Sequence, residues 1–339
     1  SYEKLDAYVC AFGYGSISTR AASNVLWGRK AATGKLPVTL NSDYSRGHGL
    51  LKKKRNKAWD GEVKINLSQA WAIMDSAINN QIFPGAQVFI AKNGKIVFNG
   101  GFGFHDYEKG SSQVSKNSIY DIASITKVLS ITPIIMKLIS RKKISLDQPV
   151  YYFLPDFRGY QKDKVTIRHL LTHSSGITSY HRFFLEKKYI NREDVVNGII
   201  DMDLEFDPGS EFSYSDLGMI LLMEIAEKVS SKSIEKMSSS WIYNPLGMNA
   251  TMYNPSDHLL SQIVPTEYDA IYRKKLIHGI VHDENAFLLG GVSSHAGLFS
   301  TAENLARYAQ MHVNNGTWLG NRIFKETMLN EFTSRQHLP

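Results

Sequence analysis

Tyr120-Asp121-Ile122-Ala123-Ser124-Ile125-Thr126-Lys127 leads into an apolar run that includes Val128, Leu129, Ile131, Ile134, Ile135 and Met136. The run predicts one continuous helix from Ser124 to Ser140, apolar on most sides and therefore central and buried. Ser124 and Lys127 are three residues apart, so the helix sets them on one face about a turn from each other. A Ser-x-x-Lys pattern occurs on many helix surfaces and says little alone. A lysine at the head of a buried helix says more, because lysines are almost never fully buried without a partner. A serine hydroxyl is a poor nucleophile until a neighbour takes its proton. A lysine can be that neighbour only as the neutral amine, and an apolar surround would favour that form. The helix N-terminus adds a field that favours negative charge. The Ser124 backbone N–H can therefore help hold the oxyanion of an acyl-transfer step, where one such donor is worth roughly 3–4 kcal/mol.

Outward from this stretch, Phe212-Ser213-Tyr214-Ser215-Asp216-Leu217-Gly218 forms a polar loop ahead of a helix predicted over 217–229. A tyrosine hydroxyl can relay a proton between nucleophile, lysine and leaving group. The plainer role for Tyr214 is an amphipathic contact, and Asp216 could equally cap the helix. Upstream, Leu67, Ala70, Ile73, Met74, Ala77 and Ile78 have helical spacing until Phe83-Pro84-Gly85 breaks it. Asn93-Gly94 then separates the apolar runs 86–91 and 95–99. Both central residues of such a turn take positive φ, which marks a hairpin. Further helices are predicted over 165–171, with Thr166 as cap, and over 302–313. A hairpin followed by helices is an α+β order, not βαβ repetition.

The composition excludes several classes. With 43% hydrophobic and 21% charged residues in 339, the chain is globular and not disordered. Much of the net charge of +7 sits in Lys52-Lys53-Lys54-Arg55-Asn56-Lys57, which reads as a solvated linker. No aromatic-plus-basic motif accompanies it, so nucleic acid is not an expected partner. The lone Cys10 rules out an internal disulfide and a Cys-cluster zinc site. No apolar run reaches the length of a membrane span. Among the histidines, His169 and His173 are four apart, but His173 falls beyond the helix end and no glutamate completes a metal motif. His169 reads as a packing or capping residue. No metal and no cofactor are expected.

Ser124-x-x-Lys127 followed by Tyr214-Ser215-Asp216 resembles the serine β-lactamases, penicillin-binding proteins and related esterases. Further stretches fit the class-C-like branch, in order: Val165-Thr166-Ile167-Arg168-His169-Leu170-Leu171-Thr172-His173-Ser174-Ser175-Gly176-Ile177, Asn244-Pro245-Leu246-Gly247-Met248, and Gly290-Gly291-Val292 with Gly297-Leu298-Phe299-Ser300-Thr301. The resemblance implies a β-lactamase/transpeptidase-like fold with an antiparallel sheet flanked by helices. It implies that Ser124 becomes acylated, that Lys127 is base or proton carrier, and that Tyr214 completes the relay. Asp216, on the substrate side, stands where many members have asparagine. The change removes an amide donor and adds charge, which suits an esterase or peptidase better than β-lactam turnover. A small-molecule or cell-wall peptide substrate and an envelope or periplasmic location follow from the same resemblance.

The family's third motif, a Lys/His-Thr/Ser-Gly triplet, would come several tens of residues after the last helix. His295-Ala296-Gly297 precedes Leu298-Phe299-Ser300-Thr301 and so is not read as that triplet. The expectation is a domain over 61–339 with its C-terminal part missing, behind a basic linker over 51–60. Residues 1–50 carry Ala11-Phe12-Gly13-Tyr14-Gly15, Leu26-Trp27-Gly28, Gly34-Lys35-Leu36-Pro37-Val38-Thr39 and Gly47-His48-Gly49-Leu50. These resemble the tail of family-three glycoside hydrolases and imply a fused parent enzyme. The alternative to a hydrolase is therefore a non-catalytic module fused to a β-N-acetylhexosaminidase.

Overall fold

The Asn93-Gly94 turn forms as predicted, with φ of 51° and 73°, in a computed structural model that describes Lys35, Trp59 and residues 61–336. Apart from Lys35 and Trp59, the segment 1–50 and the linker 51–60 lie outside the described residues. The turn joins β1 (Gly85–Lys92) to β2 (Lys95–Gly103) in antiparallel register, with a bulge between Ile90 and Ala91. Helix α1 (Ser68–Asn79) lies against β2, where Trp71 meets Phe98 and Phe102 at ring distances of 4.6 and 4.9 Å. The predicted α1 stripe is only half used, since Ile73 is 73% exposed. Trp59 is buried against Phe89 and Trp318, so the far end of the predicted linker packs into the domain.

The predicted helix over 124–140 is two helices. After β3 (Tyr120–Asp121) come α2 (Ile125–Leu129) and α3 (Ile131–Ser140), divided at Ser130, whose φ and ψ are −115° and −80°. Pro133 supplies the reason. In a continuous helix it would remove a hydrogen bond and clash with the carbonyl four residues back, at about 3 kcal/mol or more. The break at Ser130 puts Pro133 in the first turn of α3, where its missing N–H is not needed. The buried Ser130 hydroxyl lies 2.8 Å from Ser238 Oγ and 2.9 Å from Tyr253 Oη.

The division also separates two environments. On α3, Ile131, Ile134, Ile135 and Leu138 pack with Leu217, Ile220 and Leu221 of a later helix in the main core. Each such side chain contributes about 1.5–3 kcal/mol by leaving water. Met136 faces the opposite way, into a second core with Leu246, Trp318 and Phe324. On α2, by contrast, Ile125 and Val128 are 47% and 53% exposed, against the expectation of burial on most sides.

The other elements that position the site follow in chain order. Helix α4 (Ile167–Leu171) starts at Thr166, whose Oγ1 accepts from the His169 N–H while His169 Nδ1 accepts from the Thr166 N–H. His169 is thus the capping residue expected. Then come α5 (Arg192–Asp201), α6 (Asp216–Ser230), α7 (Ile234–Ser238), β4 (Met252–Tyr253), the short hairpin of β5 (Tyr268–Asp269) and β6 (Lys275–Leu276), α8 (Glu284–Leu288), β7 (Leu298–Ser300) and α9 (Ala302–Val313). Strand β7 lies between β3 and β4, antiparallel to both. Helix α9 lies against the β1–β2 hairpin, joined by the Ala302 N–H on Gln87 Oε1 and by Asn99 Nδ2 on Glu303 Oε2. The fold is α+β with antiparallel pairing in its named strands.

Ser130→Ala leaves the buried Ser238 hydroxyl without its partner, whereas Tyr253 Oη keeps the Ser293 carbonyl at 2.9 Å. The substitution is expected to lower the unfolding free energy by about 1–3 kcal/mol, read as a lower urea midpoint at unchanged m.

Candidate active site

Ser124 follows a strand that ends abruptly. Ile122 N–H closes on the Leu298 carbonyl at 2.9 Å, Ala123 turns left-handed with φ of 45°, and α2 begins directly after Ser124. A non-glycine residue in that conformation costs about 1–3 kcal/mol unless its surroundings hold it. Asp121 holds it: Oδ1 accepts from the Ala123 N–H at 2.8 Å, and Oδ2 accepts from the His282 N–H at 2.7 Å. Burial pushes the Asp121 carboxyl up, although both N–H groups favour its charged form. The turn leaves Ser124 exposed. Its backbone N–H finds no acceptor among the described residues.

Lys127 is 5% exposed, one turn further on. Its Nζ lies 2.9 Å from Ser124 Oγ, 3.0 Å from the His295 carbonyl and 2.7 Å from Asp216 Oδ1. The contact with Asp216 is an ion pair whose angles fall outside a directed hydrogen bond. The predicted apolar surround of the amine is therefore corrected: three oxygens face it, one of them a carboxylate. These are the partners of an ammonium, and a neutral amine would need its extra proton placed elsewhere.

Asp216 is free to do this because it is not the cap of α6. Ser215 is, accepting from the Gly218 N–H at 3.1 Å. Tyr214 presents its ring to Lys127, with Nζ 4.8 Å from the ring centroid, and is 44% exposed. Its hydroxyl makes no hydrogen bond to Ser124 or Lys127 here. The structure thus brings Ser124, Lys127 and Asp216 into direct contact and sets Tyr214 beside them by its ring.

The sequence reading missed the residues behind these. His173 has φ of 56°, and its ring lies 4.4 Å from that of Tyr214. Its Nδ1 accepts from the Ser215 N–H at 3.0 Å, and its carbonyl accepts from the Ser213 N–H at 2.9 Å. Burial, with Lys127 nearby, pulls the His173 imidazole down to about 4, so it is neutral with the proton on Nε2. The signal available was its place just past a helix end within Leu170-Leu171-Thr172-His173-Ser174-Ser175-Gly176. His295 is 1% exposed and points away from Ser124: its Nδ1 meets Ser293 Oγ at 2.7 Å and its Nε2 meets Asp283 Oδ1 at 2.9 Å. Burial alone would raise the Asp283 carboxyl, but the His295 ring, the Ala286 N–H and the Lys127 charge together outweigh it and hold it at about 2. Only the His295 carbonyl serves Lys127. Among the described residues, no group of three or more His, Cys, Asp or Glu side chains could hold a metal ion.

Residues 67–339 match the family model described as Beta-lactamase. The chain is 28% identical over 285 residues to the N-acetylmuramyl-L-alanine amidase of Bacillus subtilis (strain 168), covering 74% of this chain and 64% of that protein. It is 30% identical over 301 residues to the "Putative D-alanyl-D-alanine carboxypeptidase" of Salmonella agona (strain SL483), covering 79% of this chain and 70% of the relative. Among solved structures, the octameric penicillin-binding protein homologue from Pyrococcus abyssi superposes with a TM-score of 0.65 at 26% identity. That match covers 78% of this chain and 59% of the other.

The His173 pKa sets a pH dependence. A histidine held at about 4 in the fold and at 6.5 when unfolded binds more protons in the unfolded chain. Its contribution is complete above pH 6.5 and is lost as pH falls toward 4. The urea midpoint is expected to drop across this window, and the drop to shrink in His173→Asn.

Proposed function

Because the chain belongs to the Beta-lactamase family, we propose that it is a serine hydrolase that forms an acyl-enzyme through Ser124, with an amide or ester as substrate. The observation that carries this is the exposed Ser124 Oγ set 2.9 Å from the buried Lys127 Nζ. In the proposed reaction, Oγ attacks the substrate carbonyl and its proton passes to Lys127. Lys127 can accept it only after giving one up, and Asp216 Oδ1, 2.7 Å away, is the nearest acceptor. The Ser124 N–H supplies one donor to the oxyanion. Tyr214 protonates the leaving group once substrate draws its hydroxyl inward, and Lys127 passes the serine's proton on to the Tyr214 oxygen. Water then releases the acyl group by the reverse proton path.

The names of the relatives favour cell-wall peptide as the substrate class and the envelope as the place of action. Asp216 favours an ester or an amide without a nearby carboxylate over β-lactam turnover, because it lacks an amide donor and its charge repels the carboxylate of a penicillin. The glycoside-hydrolase-like residues 11–50 support a parent protein that also acts on wall sugars. One observation favours the second reading, a non-catalytic module: three oxygens, one of them a carboxylate, surround the Lys127 Nζ that would have to act as base.

One experiment separates the two. Wild-type protein is treated with a fluorophosphonate and with penicillin, and the adduct is mapped by mass spectrometry. The expected result is label on Ser124 and none in Ser124→Ala. Hydrolysis of p-nitrophenyl esters should fall by about 10⁴-fold or more in Ser124→Ala and by about 10²–10⁴-fold in Lys127→Ala. Ester turnover should exceed nitrocefin turnover. Hydrolysis that survives Ser124→Ala, or that is missing from both proteins, would establish the module.

A further inference from the structure

We infer that Arg273, remote in sequence from Ser124 and Lys127, is a positioning residue for the reacting pair. This rests on the reading of Ser124 as nucleophile.

Asp269 and Arg273 span the short hairpin of β5 and β6, and their side chains are 3% and 4% exposed. Asp269 Oδ2 accepts from Arg273 Nε at 2.7 Å and from the Arg273 backbone N–H at 3.0 Å. Its Oδ1 accepts from the N–H groups of Ile271 and Tyr272 at 3.1 and 2.9 Å. One carboxylate therefore fixes both the turn and the guanidinium. The two remaining arms of Arg273 point across to another segment: Nη1 donates to the Val281 carbonyl at 2.6 Å, and Nη2 donates to the His282 carbonyl at 2.5 Å. A planar fork aimed at two consecutive carbonyls sets the orientation of that peptide as well as its distance.

The clamped segment then reaches the site twice. The His282 N–H donates to Asp121 Oδ2, whose partner oxygen holds the left-handed Ala123 before Ser124. The next residue, Asp283, binds the His295 ring through Oδ1, and the His295 carbonyl accepts from Lys127 Nζ. Asp283 Oδ1 also accepts from the Ala286 N–H at 2.7 Å, which starts α8. A single strap, 281–283, thus sets both the turn that presents the hydroxyl and the carbonyl that aims the amine. A buried salt bridge is weak evidence for stability, because desolvation offsets most of its attraction. What this one supplies is direction: a lysine could keep the bond to Asp269 but has no fork for two carbonyls.

The test uses the full chain with Arg273→Gln and Arg273→Lys. Hydrogen–deuterium exchange is followed in peptides covering 119–130, 281–296 and the hairpin 85–103. The expected result is exchange about tenfold faster in 119–130 and 281–296, with 85–103 unchanged. Ester hydrolysis should lose about 10²-fold in kcat with KM within about twofold, since misplaced reacting groups slow chemistry more than binding. Arg273→Lys should recover less than a tenth of the lost kcat, where a role in charge alone would recover most of it. Exchange in 119–130 that stays at the wild-type rate overturns the inference, whether or not Ser124 reacts. Failure of wild-type protein to label at Ser124 counts against the nucleophile reading instead, and leaves the strap to be decided by exchange. Should Arg273→Gln not fold, Arg273→Lys carries the same exchange test.

Discussion

A nearly buried lysine organises this domain. Lys127 Nζ takes its three acceptors from segments far apart in sequence: its own turn, the first residue of α6 and the strand approach at His295. A cation removed from water is tolerated only when its donors are matched, and removing one partner of a buried pair typically costs about 3–5 kcal/mol. Asp216 keeps some contact with water at 19% side-chain exposure, so its share lies toward the lower end. The three segments cannot drift independently without leaving that charge uncompensated. The same demand that makes the lysine costly to bury makes the site rigid.

Around that charge the supporting contacts form two shells with different materials. On one side, His173 is neutral and works as a shaped acceptor and a stacking surface for Tyr214. On the other, Asp121 and Asp283 are carboxylates that receive backbone and ring N–H groups and so fix peptide planes. The neutral side lies beneath Tyr214, which the proposed reaction draws toward substrate. The charged shell lies beneath the residues that must stay in place.

Much of this was legible in the sequence. The Asn93-Gly94 hairpin, the Thr166 cap and the Ser124/Lys127 spacing each depend on local chemistry, and local chemistry is what a sequence displays. Asp216 was open between helix cap and substrate-side residue because Ser215, one residue earlier, competes for the same N–H groups, and its pairing with Lys127 was not foreseen. Only the tertiary structure shows which one reached them. The apolar surround of the amine was misread for a related reason: the apolar neighbours of Lys127 are adjacent in the chain, whereas the oxygens that face it come from residues 216 and 295. The single long helix failed at Pro133, a breaker present in the sequence and outweighed there by the apolar pattern. The clamp on Val281 and His282 has no sequence signal, because there the strap offers only main-chain groups that every residue carries.

The division at Ser130 has a further consequence, an evolutionary one. A core helix of this kind accumulates substitutions that change volume, and each one rotates or shifts the helix slightly to refill the space. Were Ser124 on the same rigid rod as Ile134 and Leu138, every such adjustment would be transmitted to the hydroxyl. The interruption acts as a joint between a part that may drift over generations and a part that may not. Lineages carrying it can therefore rebuild their interiors, for heat or cold or a new partner, while keeping the same chemistry at the surface.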